Sequence, residues 1–95
     1  MSAHIRARRF ERDWESLTHD ERRRFRVAFE RFDDDLATGR FRPGLRVKPI
    51  AAAEGLFEMT WAPNGRATFE YGPPEGDEAR VIWRRIGTHD VFRRP

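Results

Sequence analysis

The apolar residues of this chain change period near its midpoint. Phe25, Ala28, Phe29, Phe32 and Leu36 recur at the three-and-four spacing of one helix face. Thr18 and Glu21 stand at the spacing of a capping box, where each side chain satisfies the other's free backbone N–H. Gly39 can close the same helix in a left-handed turn. Upstream, Phe10, Trp14 and Leu17 make a shorter stripe, predicting a helix of about two turns with a break near Leu17–Asp20. A short strand at His4–Arg8 can precede it. Beyond Arg42-Pro43-Gly44 the pattern becomes extended. Leu45–Ile50 contains Pro49, which suits a strand end or edge. Leu56–Ala62 and Arg66–Tyr71 flank Pro63-Asn64-Gly65, a hairpin signal; Gly72–Glu78 reads as a polar loop and Ala79–Ile86 as a further strand. This order predicts an α+β domain, an N-terminal helical hairpin packed on one face of an antiparallel sheet of three to four strands. Phe25, Phe29, Phe32, Leu36, Phe57, Met59 and Ile82 are expected in its core.

Composition narrows the class. A chain of 95 residues has room for one domain, 1–95. The charged share is high, at 37%, but eight Phe, three Trp and one Tyr supply the bulk of a core and argue against wholesale disorder. No apolar run reaches the ~18 residues of a membrane span, and the N-terminus has no apolar signal-peptide core. The absence of cysteine excludes a disulfide scaffold, a thiolate zinc site and a thiol nucleophile. A cytoplasmic protein without a metal or cofactor is expected.

Nineteen basic residues face sixteen acidic ones, and all the basic ones except Lys48 are arginine. Guanidinium keeps its charge and forks onto phosphate, which suits RNA or DNA; GC-rich coding would also raise the arginine count. Arg22, Arg23 and Arg24 crowd the first turn of the long helix, and Asp33, Asp34 and Asp35 its last. Both placements oppose the helix dipole. They mark either a solvated face or charges that serve a partner.

Along the last strand, regular alternation would put Val81, Trp83, Arg85, Gly87 and His89 on one face. An Arg and a His side by side can hold a phosphate and move a proton, because imidazole titrates near neutral pH. Lys48 and Arg66 on neighbouring strands could join them in an anion pocket, with Glu58 either beside them or neutralising an arginine. His4 and His19 lack such neighbours and read as bystanders.

The order of a helical hairpin, Lys48-Pro49-Ile50, Leu56-Phe57-Glu58-Met59, Arg66-Ala67-Thr68-Phe69 and Arg85-Ile86-Gly87-Thr88-His89 resembles the RelE/ParE toxin superfamily. The ending Gly87-Thr88-His89-Asp90-Val91-Phe92 is similar to that of YafQ-type toxins. The resemblance implies a RelE-like fold and the toxin of a type II toxin–antitoxin system. It further implies a ribosome-dependent mRNA endoribonuclease whose partners are the ribosome, mRNA and an acidic antitoxin covering the active face. Carried over residue by residue, it makes Arg85 and Arg66 phosphate clamps, with Phe69 the aromatic after the latter. His89 becomes the general acid, and Lys48, before Pro49-Ile50, the base or a third electrostatic stabiliser. Phe92 would stack on a base, Arg46 and Arg84 would contact RNA, and Glu58 would be accessory. Three departures stand out: Lys48 stands where some relatives have His or Glu, the second histidine of YafQ-type toxins is absent, Thr60 lying nearest, and Phe92 is one residue closer to His89. RNA supplies its own 2′-OH nucleophile, so the implied cleavage needs no metal. Two readings from other classes are a non-enzymatic ParE-like gyrase inhibitor and a simple nucleic-acid-binding module. The lack of a helix-turn-helix or RNA-recognition signature lowers the latter.

Overall fold

Local signals fix the longest element first. In the structure, a computed structural model that describes residues 3–74, 76 and 78–95, helix α2 spans His19–Thr38. Its capping box is formed: Thr18 Oγ1 accepts from Glu21 N at 3.1 Å, and Glu21 Oε1 accepts from Thr18 N at 2.8 Å. Gly39 ends it at φ 75°, a left-handed conformation that costs glycine little. Helix α1 spans Arg8–Glu15, preceded by strand β1, Ala3–Arg6. The second half is β2 (Lys48–Pro49), β3 (Phe57–Ala62), β4 (Gly65–Tyr71) and β5 (Arg80–Gly87), with 3-10 turns at Pro43–Leu45 and His89–Arg93. Of the expected loop Gly72–Glu78, Glu75 and Asp77 lie outside the described residues.

The architecture is the α+β arrangement that the sequence predicts, with more strands. Five form one sheet in the order β1-β5-β4-β3-β2. β2 through β5 run antiparallel, and β1 joins parallel to β5. Phe10, Phe25, Ala28 and Phe32 from the helices meet Met59, Trp61, Ala67, Phe69, Val81, Trp83 and Ile86 from one sheet face. Phe29, Leu36 and Phe57 pack half-buried against this core. Ile82 does not belong to it. Its neighbours Val81 and Trp83 are the buried pair, and Ile82, between Ile5 and Glu70 in register, faces the other way.

Among the described residues, five of the six charges in the two runs on α2, all but Asp34, pair within the molecule. Arg22 donates to the carbonyls of Trp14 and Glu15, closing the C-terminal end of α1, where a cation suits the dipole. Arg23 and Arg24 grip Asp20 at 2.6 and 3.0 Å and hold its carboxyl below the ordinary range. Asp35 accepts three bonds from Arg42, mainly through its guanidinium, which brings the Asp35 pKa down to about 2. Asp33 accepts from His4 Nε2 at 2.8 Å. His4 is therefore no bystander. Its Nδ1 also accepts from Trp83 Nε1 at 3.1 Å, and its ring lies edge-on to Phe29 at 4.6 Å, so it ties β1 to α2 and β5.

The β3–β4 hairpin brings Gly65 against an indole ring with no room for a side chain. A Cβ at Gly65 would lie 2.5 Å from the ring of Trp61, itself 8% exposed. Gly65→Ala is expected to destabilise the protein by about 1–3 kcal/mol through overpacking. Chemical denaturation would read this as a lower midpoint at unchanged slope, and a wild-type midpoint would show that the indole is not held there.

Candidate active site

The sheet has a second face, turned away from the helices. Residues directly opposite one another on adjacent strands form rows across it. One row is Lys48, Glu58, Thr68 and Arg85, read through three successive pairings. At the usual strand spacing it spans about 14 Å from end to end. The next row is Thr60, Arg66 and Gly87. Alternation assigns these rows to the open face, since Met59, Ala67 and Phe69 between them sit in the core. Lys48, Glu58, Arg66 and Arg85 thus occupy adjacent positions on one surface.

Each has a partner. Lys48 Nζ lies 3.8 Å from Glu58 Oε1, so of the two places the sequence leaves open for Glu58 it takes the one beside Lys48. Arg66 donates through Nη1 to the carbonyls of Ala62, Pro63 and Gly65, which folds its stem over the hairpin. Thr60 Oγ1 is buried without a hydrogen-bond partner among the described residues. Arg46 is exposed at the end of the first 3-10 turn, in the left-handed region at φ 48°.

The regular alternation expected to align Arg85 with His89 is broken. Thr68 pairs with Arg85 but Phe69 with Trp83, so Arg84 is an extra residue in β5, a bulge. The strand then ends at Gly87, and His89 opens the exposed 3-10 turn His89–Arg93. Phe92 in that turn lies edge-on to His89, ring centres 5.7 Å apart. Val91 anchors the turn: it is 3% exposed, and a Cβ on Gly87 would come within 3.1 Å of it.

Asp13 on α1 organises this end of the sheet. β1 stops at Arg6, opposite Trp83, leaving the edge of β5 open beyond it. Asp13 Oδ2 fills the gap, accepting from Ile86 N at 3.1 Å and from Arg85 Nε at 2.6 Å, while Oδ1 takes Arg85 Nη2 at 3.1 Å. The carboxylate raises the already high pKa of that guanidinium. Arg85 Nη1 remains and donates to the carbonyl of Arg94 at 3.1 Å. Neither Asp13 nor Thr68 was among the residues expected from the sequence. Asp13 carries no local signal, and Thr68 reads there as an ordinary strand residue.

A cleft of about 410 Å³ on the helix side is lined by His4, Arg6, Trp14, Arg26 and Phe29 among others. It shares no residue with the two rows. An extended polymer lying across strands does not require a closed pocket, so the chemistry of the rows outweighs the size of the cleft. Among the described residues no group of three His, Asp or Glu side chains is placed to hold a metal ion.

No protein-family model matches the sequence, and no curated protein matches it. Solved structures do. The chain superposes on the toxin fold of the RelB–RelE antitoxin–toxin complex from Methanococcus jannaschii with a TM-score of 0.63 at 18% identity, covering 94% of each chain. The Escherichia coli DinJ–YafQ complex gives 0.65 at 13%, covering 96% of this chain and 97% of the other. A metal-bound toxin from Helicobacter pylori gives 0.65 at 14%, with 96% and 98% covered. The fold is RelE-like. Within this RelE-like fold, Asp13 is the side chain on which the C-terminal geometry depends. Asp13→Ala would leave the Ile86 N–H and Arg85 without their acceptor, at an expected cost of about 1–3 kcal/mol. Hydrogen exchange at the Ile86 amide should accelerate beyond the global change. Unaltered exchange there would show that the carboxylate does not close the strand edge.

Proposed function

We propose that the protein is the toxin of a type II toxin–antitoxin pair and an endoribonuclease acting on mRNA at the ribosome. The observation that carries this reading is the pair of rows on the open face, with His89 and Phe92 following directly from the second. The likeness to toxins solved in complex with antitoxins supports it, as does the Gly87–Phe92 resemblance. A cognate acidic protein is the expected partner.

Cleavage would proceed by attack of the substrate's 2′ oxygen on the adjacent phosphorus. The P–O5′ bond breaks, leaving a 2′,3′-cyclic phosphate and a 5′-hydroxyl end. Arg66 and Arg85 hold the phosphate and offset charge on the phosphorane. Arg85 contributes Nη1, because Asp13 keeps its other two nitrogens. His89 protonates the departing 5′ oxygen. Lys48, with Glu58 beside it, acts as an ammonium that stabilises the transition state, and the 2′ proton passes to Glu58, the nearest carboxylate on the same row. Phe92 offers a face for base stacking, and Arg46 and Arg84 steady the flanking backbone.

Losing a general acid costs about 10²–10⁴-fold in rate. His89→Ala should therefore abolish growth arrest and mRNA cleavage, read by primer extension on translated message, while thermal stability stays at the wild-type value. Lys48→Arg should keep most of the activity that Lys48→Ala loses, since charge is the property required. Cleavage undiminished in His89→Ala would remove His89 from the mechanism. Growth arrest without cleavage would favour a non-enzymatic inhibitor.

A further inference from the structure

Thr68 poses a problem that the mechanism above does not use. It points away from the helices, yet it is 0% exposed and the one fully buried polar side chain among the described residues. What covers it is the chain's own C-terminal segment. Thr68 Oγ1 donates to the main-chain oxygen of Pro95 at 3.2 Å. Arg84 Nε reaches the same oxygen at 3.4 Å, and Arg85 Nη1 donates to the oxygen of Arg94. Three donors from two adjacent strands thus converge on two neighbouring oxygens.

The convergence is built by the bulge. In a regular strand Arg84 and Arg85 would point to opposite faces; the extra residue lets consecutive arginines approach the same segment. Both are steered by carboxylates through other nitrogens, Arg84 Nη1 by Glu70 Oε2 at 3.2 Å and Arg85 by Asp13. These acids offset much of the local charge, so the group selects its occupant by geometry: a ligand with two or more adjacent acceptor oxygens. A phosphodiester has them.

Resting on the reading of this face as an RNA site, we propose that Thr68, Arg84 and Arg85 form its phosphate cradle, and that the main-chain oxygens of Arg94 and Pro95 fill the cradle in the free protein. Substrate then binds by displacing residues 94–95, and the hydroxyl of Thr68 passes from Pro95 to a phosphate oxygen. The segment is a self-blocking strap. It hangs from the same turn as His89 and Phe92, so its release accompanies the engagement of those two residues.

The test measures binding alone, using a fluorescently labelled 2′-O-methyl oligoribonucleotide, which cannot be cleaved by 2′ attack. Deleting Arg94 and Pro95 removes both strap oxygens; compared with Arg94→Ala in the full chain, which loses the same charge but keeps the oxygens, it should tighten binding about threefold or more. In that background Thr68→Val should weaken binding about tenfold, the usual effect of losing a hydrogen bond to a charged group. Thr68→Ser, which retains the hydroxyl, should bind as the deletion does. Unchanged or weaker binding of the deletion relative to Arg94→Ala overturns the strap, and this arm stands even if the valine variant misfolds. Equal affinity for the valine and serine variants overturns the cradle. The outcome separates from that of the nuclease proposal. Thr68-dependent binding in a protein that cleaves no translated mRNA would remove the nuclease and keep the cradle. His89-dependent cleavage with Thr68-independent binding would do the reverse.

Discussion

A single carboxylate joins the two halves of this molecule. Asp13 completes the edge of β5 where β1 runs out and holds two of the three guanidinium nitrogens of Arg85. The third nitrogen reaches Arg94 and brings the C-terminal segment back over the sheet. The course of the segment after the His89–Arg93 turn is thereby tied to a residue on the first helix, more than seventy positions away in sequence. Arginine suits this role because its fork is planar and always charged, so it can grip a carboxylate and present a further N–H elsewhere.

The two faces of the sheet differ in kind. One side carries an aromatic core in which Trp83 meets Phe25, Phe32 and Phe69, ring centres 5.0–5.7 Å apart. The other carries the ionisable and hydroxyl side chains in register. A β-strand alternates faces at every residue, so an intact core fixes the registry of the polar rows. Gly65 and the bulge at Arg84 are where the backbone departs from regularity, and both adjoin the candidate site. The polar rows borrow their rigidity from the core behind them.

Features set by neighbours in sequence were legible. The Thr18–Glu21 box, the Gly39 stop, the aromatic stripe of α2 and the Pro63-Asn64-Gly65 hairpin all depend on residues a few positions apart. Lys48, Arg66, Arg85 and His89 were expected on one face because a meander brings sequential strands together; the strand positions of the first three follow that expectation, and His89 falls in the turn beyond β5. What depends on distant pairing was not legible. β1 adds parallel to β5 across most of the chain, and nothing in Ala3–Arg6 announces its partner. Ile82 was misplaced although Trp83 and Val81 had been put on one face, because two adjacent apolar residues leave the inward one undecided. The bulge at Arg84 carries no local mark. His4 looked solitary because Asp33 and Trp83 come from distant elements. Part of the opposed charge on α2 had the same cause: Arg22 meets the end of α1, Asp33 meets His4 and Asp35 meets Arg42, whereas Arg23 and Arg24 pair locally with Asp20.

The central claim is that RNA meets the sheet face opposite the helices. Amide chemical-shift mapping with a non-cleavable oligoribonucleotide tests it most directly. The account predicts shifts concentrated at Lys48, Glu58, Arg66, Thr68 and Arg84–Phe92, with residues lining the aromatic cleft, such as Phe29 and Arg26, unmoved. Shifts confined to that cleft and to α2, with β4 and the C-terminal turn silent, would contradict it.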